Sequence, residues 1–364
     1  MAIDSVQWSA YRIPTDRPEA DGTLTWDSTT LVAVSVRDGG VTGLGWTYAA
    51  AAAASLGAEE LSPILLDADP ATTPRLNEAM VRACRNLGRP GLAAAAISAA
   101  DIALWDLRSR QLDLPLVDLF GRYRDDVPIY GSGGFTTYDD ATTTEQLDKW
   151  VNEWDIPRVK IKIGESWGGQ TKRDLARIDL ARRVIGDAEL YVDANGAYGR
   201  KQARRLAAEM VDRADVRWFE EPVSSDDLEG LADVRASSTL DVAAGEYGYT
   251  LGYFARMVGA GSVDCVQADV TRCGGFTVWR RVADVVDAHH LQISGHCAPN
   301  LHAHVAASVP NLRHVEYFHD HHRIETAFFE GALSPQGGAL VPDRGRSGHG
   351  MSLDEASLAA HRVG

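Results

Sequence analysis

The sequence predicts an α/β protein in which a parallel barrel of eight strands follows a separate α+β unit. Three observations carry this. At 364 residues the chain exceeds the size that one hydrophobic core usually serves. From about residue 127, short apolar runs alternate with amphipathic helices that close on Gly or turn residues, the pattern of repeated βα units. Eight such runs occur, at 127–130, 158–163, 190–193, 216–220, 241–246, 263–269, 291–296 and 314–318, which suits a closed barrel. The chain divides into 1–125, the barrel at 126–325, and a loop-rich tail at 326–364 expected to pack back on the N-terminal unit.

In the first unit, strands are expected at 3–13 and 30–36, with Gly39 and Gly40 as the turn after the second. The alanine run 49–54 and the segment 91–110, with Ile97, Ala100, Leu104 and Leu107 at helical spacing, read as packing helices. The polar stretch 14–27, with Asp16, Arg17, Pro18, Asp21 and Gly22, reads as a surface loop or a mobile lid. In the barrel, helices are expected at 171–185, closing at Gly186, and at 276–290, with Val278, Val282, Val285 and Val286 as the buried stripe.

Composition excludes several roles. A formal net charge of −15 argues against nucleic acid, whose non-specific binding depends on clustered Lys and Arg. The N-terminus lacks a basic region followed by an apolar one, and no run approaches the ~18 apolar residues of a membrane span. The four cysteines, Cys84, Cys265, Cys273 and Cys297, form no CxxC pair and read as small buried side chains. A cytoplasmic protein without an anchor is expected.

Chemistry in such a barrel gathers at the C-terminal ends of the strands. There the sequence places Lys162, Asp193, Glu220, Glu246, Asp269, His296 and Glu316 in register, 20 to 31 residues apart. A lone acid after a strand is usually a helix cap, but seven polar residues in register are not explained so. Asp193, Glu220 and Glu246, on consecutive strands, would repel one another without a cation among them. An all-oxygen set suits Mg²⁺, or Mn²⁺ in its place, and not zinc. Glu221 should point to the other side of its strand.

In Arg-Val-Lys-Ile-Lys-Ile-Gly, residues 158–164, the period of two sends Lys160 and Lys162 to one face, here the barrel interior. Two neighbouring ammonium groups near a metal disfavour each other's protonation, so Lys162 is a candidate base. Lys160 would supply the field and touch a substrate carboxylate. Asp269 would orient and charge His296, a second acid/base group. Glu316, if protonated, would donate to an anionic oxygen, with a salt-bridged glutamate as the alternative. The run His319, Asp320, His321, His322 reads as a loop or surface element. The segment 131–135, Gly-Ser-Gly-Gly-Phe, fits a carboxylate cradle or a tight turn.

Together the lysine pair, the Asp193, Glu220-Glu221-Pro222 and Gly245-Glu246 segments, Asp269 with Gly274-Gly275, His296 and Glu316 resemble the mandelate racemase subgroup of the enolase superfamily. The resemblance spans nearly the whole chain. It implies a (β/α)7β TIM-like barrel, a capping domain made of the N-terminal third and the C-terminal tail, and a lid loop reaching the site. It also implies Mg²⁺ on Asp193, Glu220 and Glu246, Lys162 as base on one face, His296 with Asp269 on the other, and Glu316 as electrophilic partner. A homo-oligomer is expected from related proteins.

The subgroup holds both sugar-acid dehydratases and 2-hydroxyacid racemases. The polar residues of 14–27 favour dehydration of a sugar acid to a 2-keto-3-deoxy acid, although Leu24, Trp26, Trp46 and Tyr48 keep the racemase in view. Trp46, Tyr48, Asn195 and Arg17 are the candidate substrate contacts. A Schiff-base aldolase would use Lys162 but leave three carboxylates idle, and a non-catalytic barrel would be expected to lack a ligand or base.

Overall fold

The computed structural model describes residues 2–363. Its first unit carries a three-stranded antiparallel sheet, β1 (Ser5–Ala20), β2 (Thr25–Asp38) and β3 (Val41–Tyr48), in that order. β1 and β2 pair from Ser5 opposite Arg37 to Pro14 opposite Ser28, and after a register shift again at Glu19 opposite Trp26. The shift falls where Pro14 and Pro18 withhold backbone donors from the ladder. The stretch 14–27, expected as a loop or lid, is therefore mostly the far half of a long hairpin. Its tip is an Asp turn: Asp21 Oδ1 accepts from the backbone N–H groups of Thr23 (2.5 Å) and Leu24 (2.8 Å).

β3 is not legible in the sequence because Gly43 and Gly45 interrupt its apolar alternation. Both glycines let the helix Ala94–Gln111 lie directly on the sheet. A Cβ on Gly43 would stand 2.2 Å from the Ala103 carbonyl oxygen, and one on Gly45 2.1 Å from that of Ala99. The segment Arg89–Gln111 is, against expectation, long and apolar enough to cross a membrane by length and composition. Most of it is buried within the fold, so it is the core helix of the cap.

The second unit is a closed parallel barrel of β4 (Val127–Gly133), β5 (Arg158–Lys162), β6 (Glu189–Asp193), β7 (Val216–Glu220), β8 (Asp241–Ala244), β9 (Cys265–Ala268), β10 (Gln292–Gly295) and β11 (Leu312–Phe318), with β11 pairing back onto β4. All eight expected strands are present. β4 runs further than expected: Gly131, Ser132 and Gly133 pair with Val159, Lys160 and Ile161, so they are strand and neither cradle nor turn. On β5, Val159 and Ile161 join the outer core while Lys160 faces inward. Tyr130, Tyr191, Trp218, Ala243 and Cys265 plug the barrel floor, and Lys160 Nζ lies 5.3 Å from the Tyr130 ring centre.

Helices Thr171–Ile185 and Gly275–Ala288 flank the barrel close to the expected positions. In the tail, Ala339–Leu340 adds antiparallel to β4. The chain then reaches the cap, where Leu116 N–H donates to the Gly348 carbonyl (2.7 Å) and Val363 N–H to that of Ala10 (2.8 Å).

Candidate active site

Asp193 and Glu220 end adjacent strands in direct register, and Glu246 follows β8 by two residues. Their carboxylate oxygens lie within 4.8 Å of one another, all buried. Burial and the neighbouring Asp193 push Glu220 up to about 8. Glu246 Oε2 is buried without a hydrogen-bond partner, as is Glu221 Oε1. Crowded, unsatisfied oxygens of this kind fit a hard divalent cation, so the donor set matches Mg²⁺. Glu221 does not point away as strand alternation predicts. Its φ of +39° breaks the strand and buries its carboxyl, which burial and the charges of Glu246 and Asp193 raise well above the ordinary range.

Lys160 Nζ donates to both Glu220 oxygens (2.7 and 2.6 Å) and stands 2.8 Å from Glu316 Oε1. It is buried beneath the cavity and does not line it, so the expected contact with a substrate carboxylate is replaced by a cation bracing two acids. Lys162 does line the cavity, ion-paired with Asp193 and 3.2 Å from Asn195 Oδ1. Burial would lower its ammonium, and Lys160 adds to this as expected. Asp193, with help from Glu246 and Glu220, outweighs both and holds it above the usual lysine range while those carboxylates are uncompensated.

His296 Nδ1 meets Asp269 Oδ2 at 2.8 Å, as the sequence suggested. Asp269 Oδ1 accepts from Thr271 N–H and Oγ1–H, both at 2.7 Å, which fixes the carboxylate. The pair leaves His296 Nε2 facing the cavity. Burial opposes a charged ring, but Cys297, Glu246, Glu316 and the bond to Asp269 raise it well above the ordinary histidine value.

Glu316 accepts from Ser132 Oγ (2.6 Å) and Cys297 N–H (3.0 Å) beside Lys160. Burial would raise it, yet Lys160 and His296 hold it below the usual carboxylate range. It is thus ionised, which favours the salt-bridged alternative over a protonated donor.

These groups share a cavity of about 320 Å³ under the hairpin, with Lys162, Asn195, Glu246, His296, Glu316 and Tyr48 on its wall. Trp46 is not on the wall: it is buried behind Tyr48, its Nε1–H donating to Glu325 (3.2 Å). Arg17 is elsewhere, donating to Thr142 Oγ1 (2.7 Å) on the outer side of the hairpin. Asp21, from the polar stretch read as a loop or lid, is on the wall. The wall also gains residues that sequence reasoning missed: Ser28, Thr29 and Thr30 from the hairpin, and Arg272 and Cys297 after two strand ends. A charged residue three positions after Asp269 was the available signal for Arg272. His321 also lines the cavity, because His319–Phe328 is a helix and not a loop.

A capped barrel with an oxygen triad, a lysine and an aspartate-held histidine on one cavity is an enzyme architecture for carbanion chemistry beside a carboxylate. The chain belongs to the mandelate racemase/muconate lactonizing enzyme family: residues 9–121 match its N-terminal domain and residues 142–357 match the enolase C-terminal domain-like family.

It is similar over 100% of both chains to a mandelate racemase/muconate lactonizing enzyme-like protein of Rubrobacter xylanophilus, with 44% identity and a TM-score of 0.96. It is 34% identical, over the whole of both proteins, to the 3,6-anhydro-alpha-L-galactonate cycloisomerase of Streptomyces coelicolor. It is 30% identical to the L-talarate/galactarate dehydratase of Salmonella typhimurium, over 86% of this chain and 82% of that protein. The structure of that dehydratase with Mg and L-lyxarohydroxamate superposes with a TM-score of 0.89 and 26% identity, covering 99% of this chain and 93% of the other.

Proposed function

We propose that the protein is a Mg²⁺-dependent dehydratase that converts a sugar acid to a 2-keto-3-deoxy acid. The observation that carries this reading is the single cavity on which Lys162, His296 and the oxygen triad meet the hydroxyl-bearing hairpin residues Ser28, Thr29 and Thr30. Hydroxyls and Asp21 suit a polyhydroxylated chain, which must exchange its water contacts for protein ones. The dehydratase named above, acting on talarate and galactarate, points the same way.

Asp193, Glu220 and Glu246 would hold the Mg²⁺, which would supply positive charge beside the substrate carboxylate and offset the acids that keep Lys162 protonated. Neutral Lys162 takes the proton from the carbon beside the carboxylate, with Asn195 positioning its amine. His296, charged and held by Asp269, gives a proton to the hydroxyl on the next carbon, which leaves as water. The resulting enol rearranges to the ketone. Lys162 ends β5 and His296 follows β10, strands three apart one way round the ring and five the other. They therefore approach the substrate from different sides.

That placement also favours a second reading, a racemase or epimerase in which the two groups exchange a proton at one carbon. Incubation with Mg²⁺ in D₂O against sugar acids, an anhydro sugar acid, sugar-acid lactones and 2-hydroxyacids, followed by NMR, separates them. A 2-keto product from a sugar acid supports dehydration. Deuterium or inversion without it supports the racemase, and an isomerised ring would place the chain with the cycloisomerase. Four free cysteines suit a reducing compartment, so we place the protein in the cytoplasm, as a homo-oligomer like many soluble enzymes.

A further inference from the structure

The proposed reaction makes no use of the thiol of Cys297 on the cavity wall. Its backbone has φ +51°, a left-handed conformation disfavoured for a side chain of this kind. That turn brings Sγ to 3.3 Å from His296 Nε2 and 3.5 Å from Glu316 Oε2, and these last two atoms are 3.6 Å apart. The three atoms form a nearly equilateral triangle.

A tetrahedral zinc ion, with bonds of about 2.3 Å to sulfur and about 2.0–2.1 Å to nitrogen and oxygen, sets such ligands about 3.3–3.6 Å apart. The supporting contacts also match. His296 Nδ1 is held by Asp269, the carboxylate–histidine arrangement that orients a metal-bound ring. Glu316 Oε1 is engaged by Ser132 and Lys160, and Oε2 receives only the Cys297 N–H and the thiol. A thiolate and a carboxylate bring two negative charges to a divalent cation, while Lys160 sits against Glu220 and the other oxygen of Glu316, turned away from the three ligand atoms. All three side chains are buried and line the cavity, so a fourth position opens into it.

We propose that His296 Nε2, Cys297 Sγ and Glu316 Oε2 form a second metal site, selective for zinc-like divalent cations and adjoining the all-oxygen Mg²⁺ triad, whose Glu246 Oε2 lies 3.3 Å from His296 Nε2. Nitrogen and sulfur donors favour zinc-like cations and are poor ligands for Mg²⁺. Binding releases both the thiol proton of Cys297 and the Nε2 proton of the charged His296 ring to solvent, and forms a metal–thiolate and a metal–imidazole bond. It also occupies the Nε2 lone pair, so a zinc-loaded protein has no His296 available as acid or base, and zinc blocks turnover.

The test uses full-length protein saturated with Mg²⁺ and titrated with Co²⁺ as an optical stand-in for zinc. The site predicts a sulfur-to-cobalt charge-transfer band and tetrahedral d–d bands that saturate at one equivalent and vanish on adding Zn²⁺. Cys297→Ser and Cys297→Ala should remove the charge-transfer band. Asp269→Asn should weaken Zn²⁺ binding by about 10- to 100-fold, as loss of a supporting partner does elsewhere. Absence of the band in the parent protein, or its persistence in both Cys297 variants, overturns the proposal. These readouts do not depend on turnover, so they stand or fall apart from the dehydratase reading.

Discussion

Tyr48 on the last strand of the cap and His321 on the helix after the last barrel strand stack face to face, ring centres 3.5 Å apart and planes 19° apart. Burial pushes His321 down to about 3, so both rings are neutral. The Tyr48 hydroxyl also donates to Glu325 Oε1 (3.0 Å). This contact joins cap to barrel at the cavity wall. Tyr48→Phe should cost about 1–2 kcal/mol for the lost donor to a buried carboxyl. Tyr48→Ala should cost about 3–5 kcal/mol, as buried aromatic truncations do. Urea unfolding measures both, and equal costs would show that the stack contributes nothing.

Asp101 gives the stability a pH dependence. It is buried in the cap helix, accepting from Asn77 Nδ2 (2.8 Å) and Thr277 N–H (2.9 Å), and burial pushes it up from 3.8 to about 7. The folded state therefore holds this proton more tightly than the unfolded one. The contribution is intact below the unfolded value and is lost as pH rises through about 7. Asp101→Asn removes the titration, so the variant should gain on the parent protein between these limits, by at most about 1.4 kcal/mol per pH unit. Unfolding midpoints at several pH values check this; parallel curves would contradict it.

Mg²⁺ and protons should compete at the carboxylates. Burial and neighbouring carboxylates push Glu220 up to about 8 and Glu221 well above the ordinary range, so both favour their protons near neutrality and a cation among them favours proton loss. Adding Mg²⁺ to metal-stripped protein near neutrality should acidify a weakly buffered solution, and affinity should rise from about pH 6 to about pH 8. At about 100 times Kd, Mg²⁺ should stabilise the fold by about 2.7 kcal/mol. Glu246→Gln should lose much of that gain, which calorimetry can measure alongside the proton release.

The barrel was legible because each strand carries its own signal: an apolar run, then a polar residue at the mouth. Strand-end residues such as Lys162, Asp193, Glu220 and His296 could be read in register for that reason. Residues governed by other rules could not. Glu221 and Cys297 have positive φ, so alternation gives the wrong direction for the first and no direction for the second. β3 was hidden because its glycines answer to the helix packed on them, a contact between distant segments. Arg17 belongs to the polar stretch 14–27 and Trp46 lies two residues from Tyr48, but pairing with Thr142 and Glu325 takes each away from the cavity. The Lys162 proton depends on a balance among buried charges that spacing cannot weigh.

The most direct test of the account separates the two proton transfers with the acid identified by the substrate screen. Parent protein, Lys162→Ala and His296→Asn are each incubated with Mg²⁺ in D₂O, and deuterium at the carbon beside the carboxylate is followed together with keto product. Lys162→Ala should lose both signals by about 10²–10⁴-fold, while His296→Asn should lose product yet still exchange that proton. Exchange surviving in Lys162→Ala, or product forming normally in His296→Asn, would contradict the account.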